Sequence, residues 1–158
     1  MSRSITQIVI HCSATPDGRP HTVADIDLWH RQRGFQRSPR FKARFNPSLT
    51  SIGYHYVIYT DGTVHTGRHP DEPGAHAVGH NHNSLGICLI GQGRYSAAQW
   101  DALRNLVNDL LVEYGTKDGF VISGHRDLPN VHKECPGFDV DTWRAAGMVA
   151  EAGHILTA

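Results

Sequence analysis

The sequence predicts an α/β domain in which strands alternate with helices around one core. Three observations carry the prediction: a β-branched apolar run at Ile5–Cys12 ahead of a helical pattern, an Asp61-Gly62 turn between two short β-forming segments, and an apolar run at Leu85–Ile90 ahead of a long capped helix. At 158 residues and 17.5 kDa the chain is one domain long, and folding at this size buries roughly two thirds of the unfolded surface. A single domain over residues 1–158 is therefore expected. With 39% apolar and 19% charged residues, 16 Gly and 8 Pro, disorder, collagen-like repeats and a coiled coil fit poorly, and a soluble globular domain fits well.

Each element has a local cause. Ile5–Cys12 reads as a buried strand that ends at His11, with a turn cluster from Ser13 to Pro20 behind it. Thr22 offers an N-cap and Gly34 a stop for a helix of about 12 residues, with Ile26, Trp29 and Arg33 on one face. Tyr54–Tyr59 and Thr63–Thr66 flank Asp61-Gly62 as a hairpin. Leu85–Ile90 reads as a central strand with Cys88 as a small buried hydrophobe. Ser96 and Gln99 form a capping box, after which Trp100, Leu103, Val107, Leu110, Leu111 and Tyr114 recur at helical spacing up to Gly115. Phe120–Ser123 makes a last short strand, and Asp139 or Asp141 caps a helix through Trp143 and Ala146. The tail after Gly147 carries no signal.

Lys plus Arg equal Asp plus Glu at 15 each, so the formal charge is zero and no global field draws the chain to nucleic acid or an anionic membrane. The outlying number is 12 His, a residue that gains charge as pH falls through 6 to 7 and is the commonest metal ligand. Cys12, Cys88 and Cys135 cannot pair completely and lack the spacing of a disulfide-stapled domain, which favours a reducing site of synthesis. Behind Met1–Gln7, the run Ile8–Ile10 is too short for a signal-peptide core, and no stretch reaches the roughly 18 apolar residues of a membrane span. Synthesis in the cytoplasm without a signal peptide is expected. One compositional break stands out: Arg31, Arg33, Arg37, Arg40, Lys42 and Arg44 meet no acidic residue before Asp61.

A catalytic zinc takes three protein ligands and leaves the fourth position open. The chain has no His-Glu-x-x-His and no Cys-x-x-Cys, so a site must be assembled from distant segments. By residue type His11, His55, His65, His69, His76, His80, His82, His125 and His132 are all candidates. Two positions stand out. Cys135, ahead of Pro136-Gly137 and beside His132 and Lys133, has an electropositive setting that favours a thiolate. His125 follows a strand, with Asp127 available to orient its ring. Both are equally consistent with ordinary surface or core-edge positions.

Seven pieces occur in order: Ile10-His11-Cys12-Ser13-Ala14-Thr15, Gly53-Tyr54-His55-Tyr56, Asp61-Gly62-Thr63-Val64, Gly74-Ala75-His76-Ala77, Asn81-His82-Asn83-Ser84-Leu85-Gly86, Gly124-His125-Arg126-Asp127 and Lys133-Glu134-Cys135-Pro136-Gly137. Together they resemble the zinc-dependent N-acetylmuramoyl-L-alanine amidases related to peptidoglycan recognition proteins, of the T7 lysozyme type, over about residues 5 to 146. The resemblance implies a mixed central β-sheet of about five to six strands flanked by helices. It implies His11, His125 and Cys135 as zinc ligands, Tyr54 as the catalytic tyrosine, Lys133 as stabiliser of the transition state and His76 as a substrate-binding residue on the groove wall. The implied reaction is hydrolysis of the amide between N-acetylmuramic acid and L-alanine in peptidoglycan, by a monomeric lytic enzyme of phage or prophage type that acts on the wall after release.

The chemistry of those residues agrees. Two neutral imidazoles and one thiolate leave the zinc site at net +1, enough to bring the pKa of bound water from 15.7 to about 7. A donor such as Lys133 facing an oxyanion is worth about 2.7 to 4 kcal/mol. Tyr54, with a free pKa near 10, suits orienting water and relaying a proton. By the period of two, His55 and Cys12 point away from the site, and His80 and His82 read as loop residues. Three rival readings remain: a cytoplasmic enzyme that recycles muropeptides; a binding module without catalysis, which in this family lacks the Cys present here at 135; and single-stranded nucleic-acid binding through Arg31–Arg44 with Phe35, Phe41 and Phe45. The segment Phe35–Ser51 looks inserted relative to the family, and Arg37, Arg40 and Lys42 are expected to grip stem-peptide carboxylates or anionic envelope polymers.

Overall fold

The computed structural model describes residues 3–157. Met1, Ser2 and Ala158, the outer limits of the expected domain and the start of the N-terminal segment considered above, lie outside the described residues.

Five strands form one mixed sheet in the order β3-β2-β4-β1-β5. β1 (Gln7–Cys12) runs parallel to β4 (Ser84–Leu89) on one side and to β5 (Val121–Gly124) on the other. β2 (Tyr56–Ile58) is parallel to β4 and antiparallel to β3 (Val64–Thr66), which is the hairpin expected around Asp61-Gly62. β1 and β4 are buried at every position, as expected of parallel strands covered on both faces.

The two faces carry separate cores. Ile8, Ile10, Leu85, Ile87 and Leu89 pack with Trp100, Leu103, Val107 and Leu110 of α3 (Ala97–Tyr114) and with Phe138 and Trp143, the latter on α4 (Val140–Ala145). On the opposite face Ile26 of α1 (Val23–Gln32) packs with Ile52, Val57, Cys88 and Ile90. α3 starts at the predicted capping box, with Ser96 and Gln99 bonded reciprocally, and the buried Gln99 amide donates to Ile90 O at 2.9 Å. Asp139 caps α4 as expected.

Three sequence expectations are revised. The inner face of α1 is Ile26, Asp27 and His30 rather than Ile26, Trp29 and Arg33. The cause is the segment that α1 packs on: Ser51, Ile52 and Gly53 have N–H groups with no strand partner, and Asp27 Oδ1 accepts the first two at 2.7 and 2.8 Å while His30 Nδ1 accepts the third at 2.8 Å. The described part of the tail after Gly147 is tied down: His154 O accepts from Tyr95 N at 3.0 Å and Trp100 Nε1 at 2.9 Å, and Ile155 bridges to Tyr95. Finally, the basic segment is not a uniformly solvated loop. It contains a short helix, α2 (Pro39–Lys42), and Arg37 is buried against the equally buried Glu72 at 2.8 Å. Arg37 also donates to Asn46 O and Leu49 O, so it cannot grip an external carboxylate.

Candidate active site

Parallel pairing brings the first two site residues together. Ile10 pairs with Gly124, so His11 and His125 are the next residues on neighbouring strands, and their ring centroids lie 4.4 Å apart. After Gly124 the chain leaves the sheet in a short 3-10 turn whose Gly124 N–H is held by Asp127 Oδ2 at 2.9 Å. Asp127 thus fixes the turn that aims His125, through a backbone bond and not through the imidazole. The loop then hooks back, Arg126 N donating to Cys135 O at 2.9 Å and Tyr95 Oη to Pro136 O at 2.6 Å. This sets Cys135 Sγ 2.9 Å from Cys12 N, an N–H that β5 has left without a partner. His11, His125 and Cys135 each offer a ligand atom, all within 4.8 Å of one another.

Burial tunes these groups. It pushes His11 well below its ordinary pKa, with the charges of His125, His30 and Lys133 acting in the same direction. His125 is lowered by burial and then by Lys133. Contact with the Cys12 thiol and burial push the Cys135 thiol up, while the Cys12 N–H pulls the other way. Both rings are therefore neutral and able to ligate, and the sulfur needs a cation to become a thiolate. Lys133 is exposed, and its charge lowers both rings.

The Tyr54 ring lies 5.0 Å from that of His11 and 5.2 Å from that of His30. Burial holds its phenol well above the ordinary value, which favours the protonated form. His76 sits closer to the cluster than a residue of the groove wall alone: its Nδ1 is 2.8 Å from His11 Nε2, and its Nε2 is 3.1 Å from Ser84 Oγ. Asn81 Oδ1 holds its loop by accepting from His76 N and Ala77 N. Gly86 of β4 makes the space, since a Cβ there would lie 2.7 Å from His76 Cγ.

The family model described as N-acetylmuramoyl-L-alanine amidase matches residues 1–138. The chain belongs to that family. Among its relatives, the amidase is 37% identical over 144 residues to an endolysin of Enterobacteria phage T3, covering 86% of this chain and 83% of the relative. It is 36% identical over 148 residues to an endolysin of Escherichia phage T7, covering 89% and 85%. Of solved structures, the N-acetylmuramoyl-L-alanine amidase LysC from Clostridium intestinale URNW superposes with a TM-score of 0.71 at 27% identity, over 94% of this chain and 88% of the other.

The remaining candidates of the amidase are accounted for elsewhere. His55 is buried and structural, as expected: Nε2–H donates to Glu72 O at 2.7 Å and Nδ1 accepts from Gly86 N at 3.1 Å. His65 stacks on Tyr59, His69 on Phe41, and His80 bonds Gln7. His82 and His132 are exposed; Cys12 belongs to the α3-side core, yet its thiol lies against that of Cys135, so it does not point clear of the site as the strand alternation predicts. His30 went unselected in the sequence although it supports the backbone that presents Tyr54. Its one sequence signal is a polar pair, Asp27 and His30, at i, i+3 on the face of a helix that also buries Ile26.

Proposed function

We propose that zinc held by His11, His125 and Cys135 serves this amidase in cutting the bond between N-acetylmuramic acid and L-alanine of peptidoglycan, in the lytic manner of phage or prophage endolysins. Residues 1–158 act as one catalytic domain and as a monomer, working on the wall after release. The observation that carries the zinc reading is the convergence of two imidazoles and one sulfur within 4.8 Å at the ends of β1 and β5. Two nitrogens and one sulfur suit zinc, and neutral rings held so by burial need lose no proton to bind it. When bound, zinc supplies Lewis-acid polarisation of the scissile carbonyl and acidifies water at its open position.

The chain's own groups do the rest. Ser84 Oγ–H donates to His80 O at 2.6 Å, so the Ser84 oxygen accepts from His76 Nε2–H. His76 Nδ1 is then a lone pair and accepts from His11 Nε2–H. This assignment, made from the hydrogen-bond network, leaves His11 Nδ1 as the free ligand atom and makes His76 the residue that orients the His11 ring. Tyr54 keeps its proton and donates toward the reacting oxygen, with His30 holding the Gly53 backbone beside it. Lys133 places an ammonium where negative charge develops on that oxygen.

Metal analysis combined with mass spectrometry of digested sacculi tests the proposal. Zinc at one equivalent and new lactyl carboxylates on muramic acid are expected. New reducing sugar ends would identify a glycosidase, and cleavage of soluble muropeptides with intact sacculi untouched would replace the lytic reading by a recycling one.

A further inference from the structure

A second cleft shares no lining residue with the site above. Arg40, Phe41, Arg44, Phe45, His69 and Asp71 enclose about 370 Å³. Its floor is aromatic: Phe41 stacks on His69 with centroids 5.5 Å apart at 22°, and Phe45 meets the same ring edge-on at 5.1 Å. Asp71 N donates to His69 Nδ1 at 3.0 Å, which leaves Nε2–H as the ring's donor.

The segment that carries the arginines is rigidly seated. Arg37 pairs with Glu72 in the interior, Ser38 N donates to Glu72 Oε2 at 3.2 Å, and Asn46 Nδ2 donates to Thr66 O and Gly67 O at 3.1 and 2.9 Å. The outer half is the opposite case. Arg40 and Arg44 are exposed, and among the described residues neither guanidinium has a hydrogen bond or an ion pair; Arg40 lies 5.8 Å over the Phe41 ring. Two unpaired guanidiniums against the single carboxylate of Asp71 make the cleft net positive in a chain of zero formal charge. The buried anchor fixes the backbone that carries both cations, while their guanidiniums remain free to pair with an external anion.

We propose that this cleft is an exosite for the carboxylates of peptidoglycan stem peptides, gripped by Arg40 and Arg44 while short aliphatic side chains lie over the Phe41–His69–Phe45 floor. The choice of polymer rests on the amidase reading: the sacculus carries free carboxylates on stem after stem, and a neutral protein has only local charge with which to stay on it. Single-stranded nucleic acid fits less well, because the carboxylate of Asp71 in the lining opposes a densely charged backbone and only two unpaired cations face the cleft.

Retention of the full-length protein on purified sacculi, at low salt and with chelator present so that nothing is cut, tests the exosite apart from catalysis. Arg40→Ser/Arg44→Ser should bind about fivefold more weakly, two exposed charge contacts being lost. Wild type should weaken by a similar factor on sacculi whose carboxylates have been converted to amides. Retention of the double variant within about twofold of wild type, or indifference of wild type to amidation, overturns the proposal; the amidation arm decides even if the variant misfolds. An oligonucleotide bound more tightly than sacculi, and released by the same substitutions, also overturns it. Release of stem peptides by zinc-loaded wild type is read separately, so failure of the amidase reading is seen by itself.

Discussion

Acidification is expected to destabilise the metal-free amidase from its interior. His30 and His55 both accept backbone N–H groups through Nδ1, from Gly53 at 2.8 Å and Gly86 at 3.1 Å, and protonation there destroys the bond. Burial holds their pKa values down at about 4 and about 3. In the unfolded chain both return to about 6.5. Between about pH 6.5 and the depressed native values the unfolded chain therefore binds more protons than the native one, so stability is complete above about pH 6.5 and falls as pH drops. Each ring contributes a slope of about 1.4 kcal/mol per pH unit, or about 2 kcal/mol by pH 5. Together they remove about 4 kcal/mol, a large share of the roughly 5 to 15 kcal/mol of a typical domain. His11 and His76, also held down mainly by burial, act with the same sign. Urea unfolding at about pH 7.5, 6 and 5 measures the slope, and His55→Gln should lower it by about one proton. Constant stability over that range, or an unchanged slope in His55→Gln, would refute the reasoning.

Other substitutions separate the roles of the site. Cys135→Ser should reduce zinc affinity at least about 100-fold in a chelator competition, and wild-type-like affinity would remove sulfur from the ligand set. Tyr54→Phe should lower kcat about 10²-fold at unchanged zinc content; an equal loss of zinc would mean that the phenol builds the site instead of acting in the reaction. Arg37→Met leaves Glu72 buried without its main partner and should cost about 3 to 5 kcal/mol in urea unfolding, whereas a loss below about 1 kcal/mol would show that Arg68, 3.6 Å from the same carboxylate, suffices.

What was legible in the sequence was local. The capping box at Ser96, the Asp61-Gly62 hairpin and the apolar runs of β1 and β4 each state their structure within a few residues. The full site is legible only through the resemblance to a family, because residue chemistry singles out Cys135 and His125 without separating either from an ordinary position, and nothing local links His11 to a partner just past β5. Arg37 reads in the sequence as a cation free to grip an external carboxylate for the same reason: its partner Glu72 lies 35 residues on. Asp27 and His30 look like ordinary polar positions of an amphipathic helix until Ser51–Gly53 arrives with N–H groups to satisfy. The tail carries little local signal because its bonds to Tyr95 and Trp100 run through the His154 carbonyl oxygen, a group every residue has, and its other contacts are to distant residues.

The gap beside Cys12 has a cost built into it. If β5 ran two residues further along β1, the ladder would close, the end of the strand would fray less, and the place now taken by the sulfur would be filled by a carbonyl. If the proposed zinc reading holds, any variant selected for a better-knit sheet at this corner is driven toward an inert protein, and gains in robustness have to be sought on the α3 side, where packing can tighten without touching the three donors.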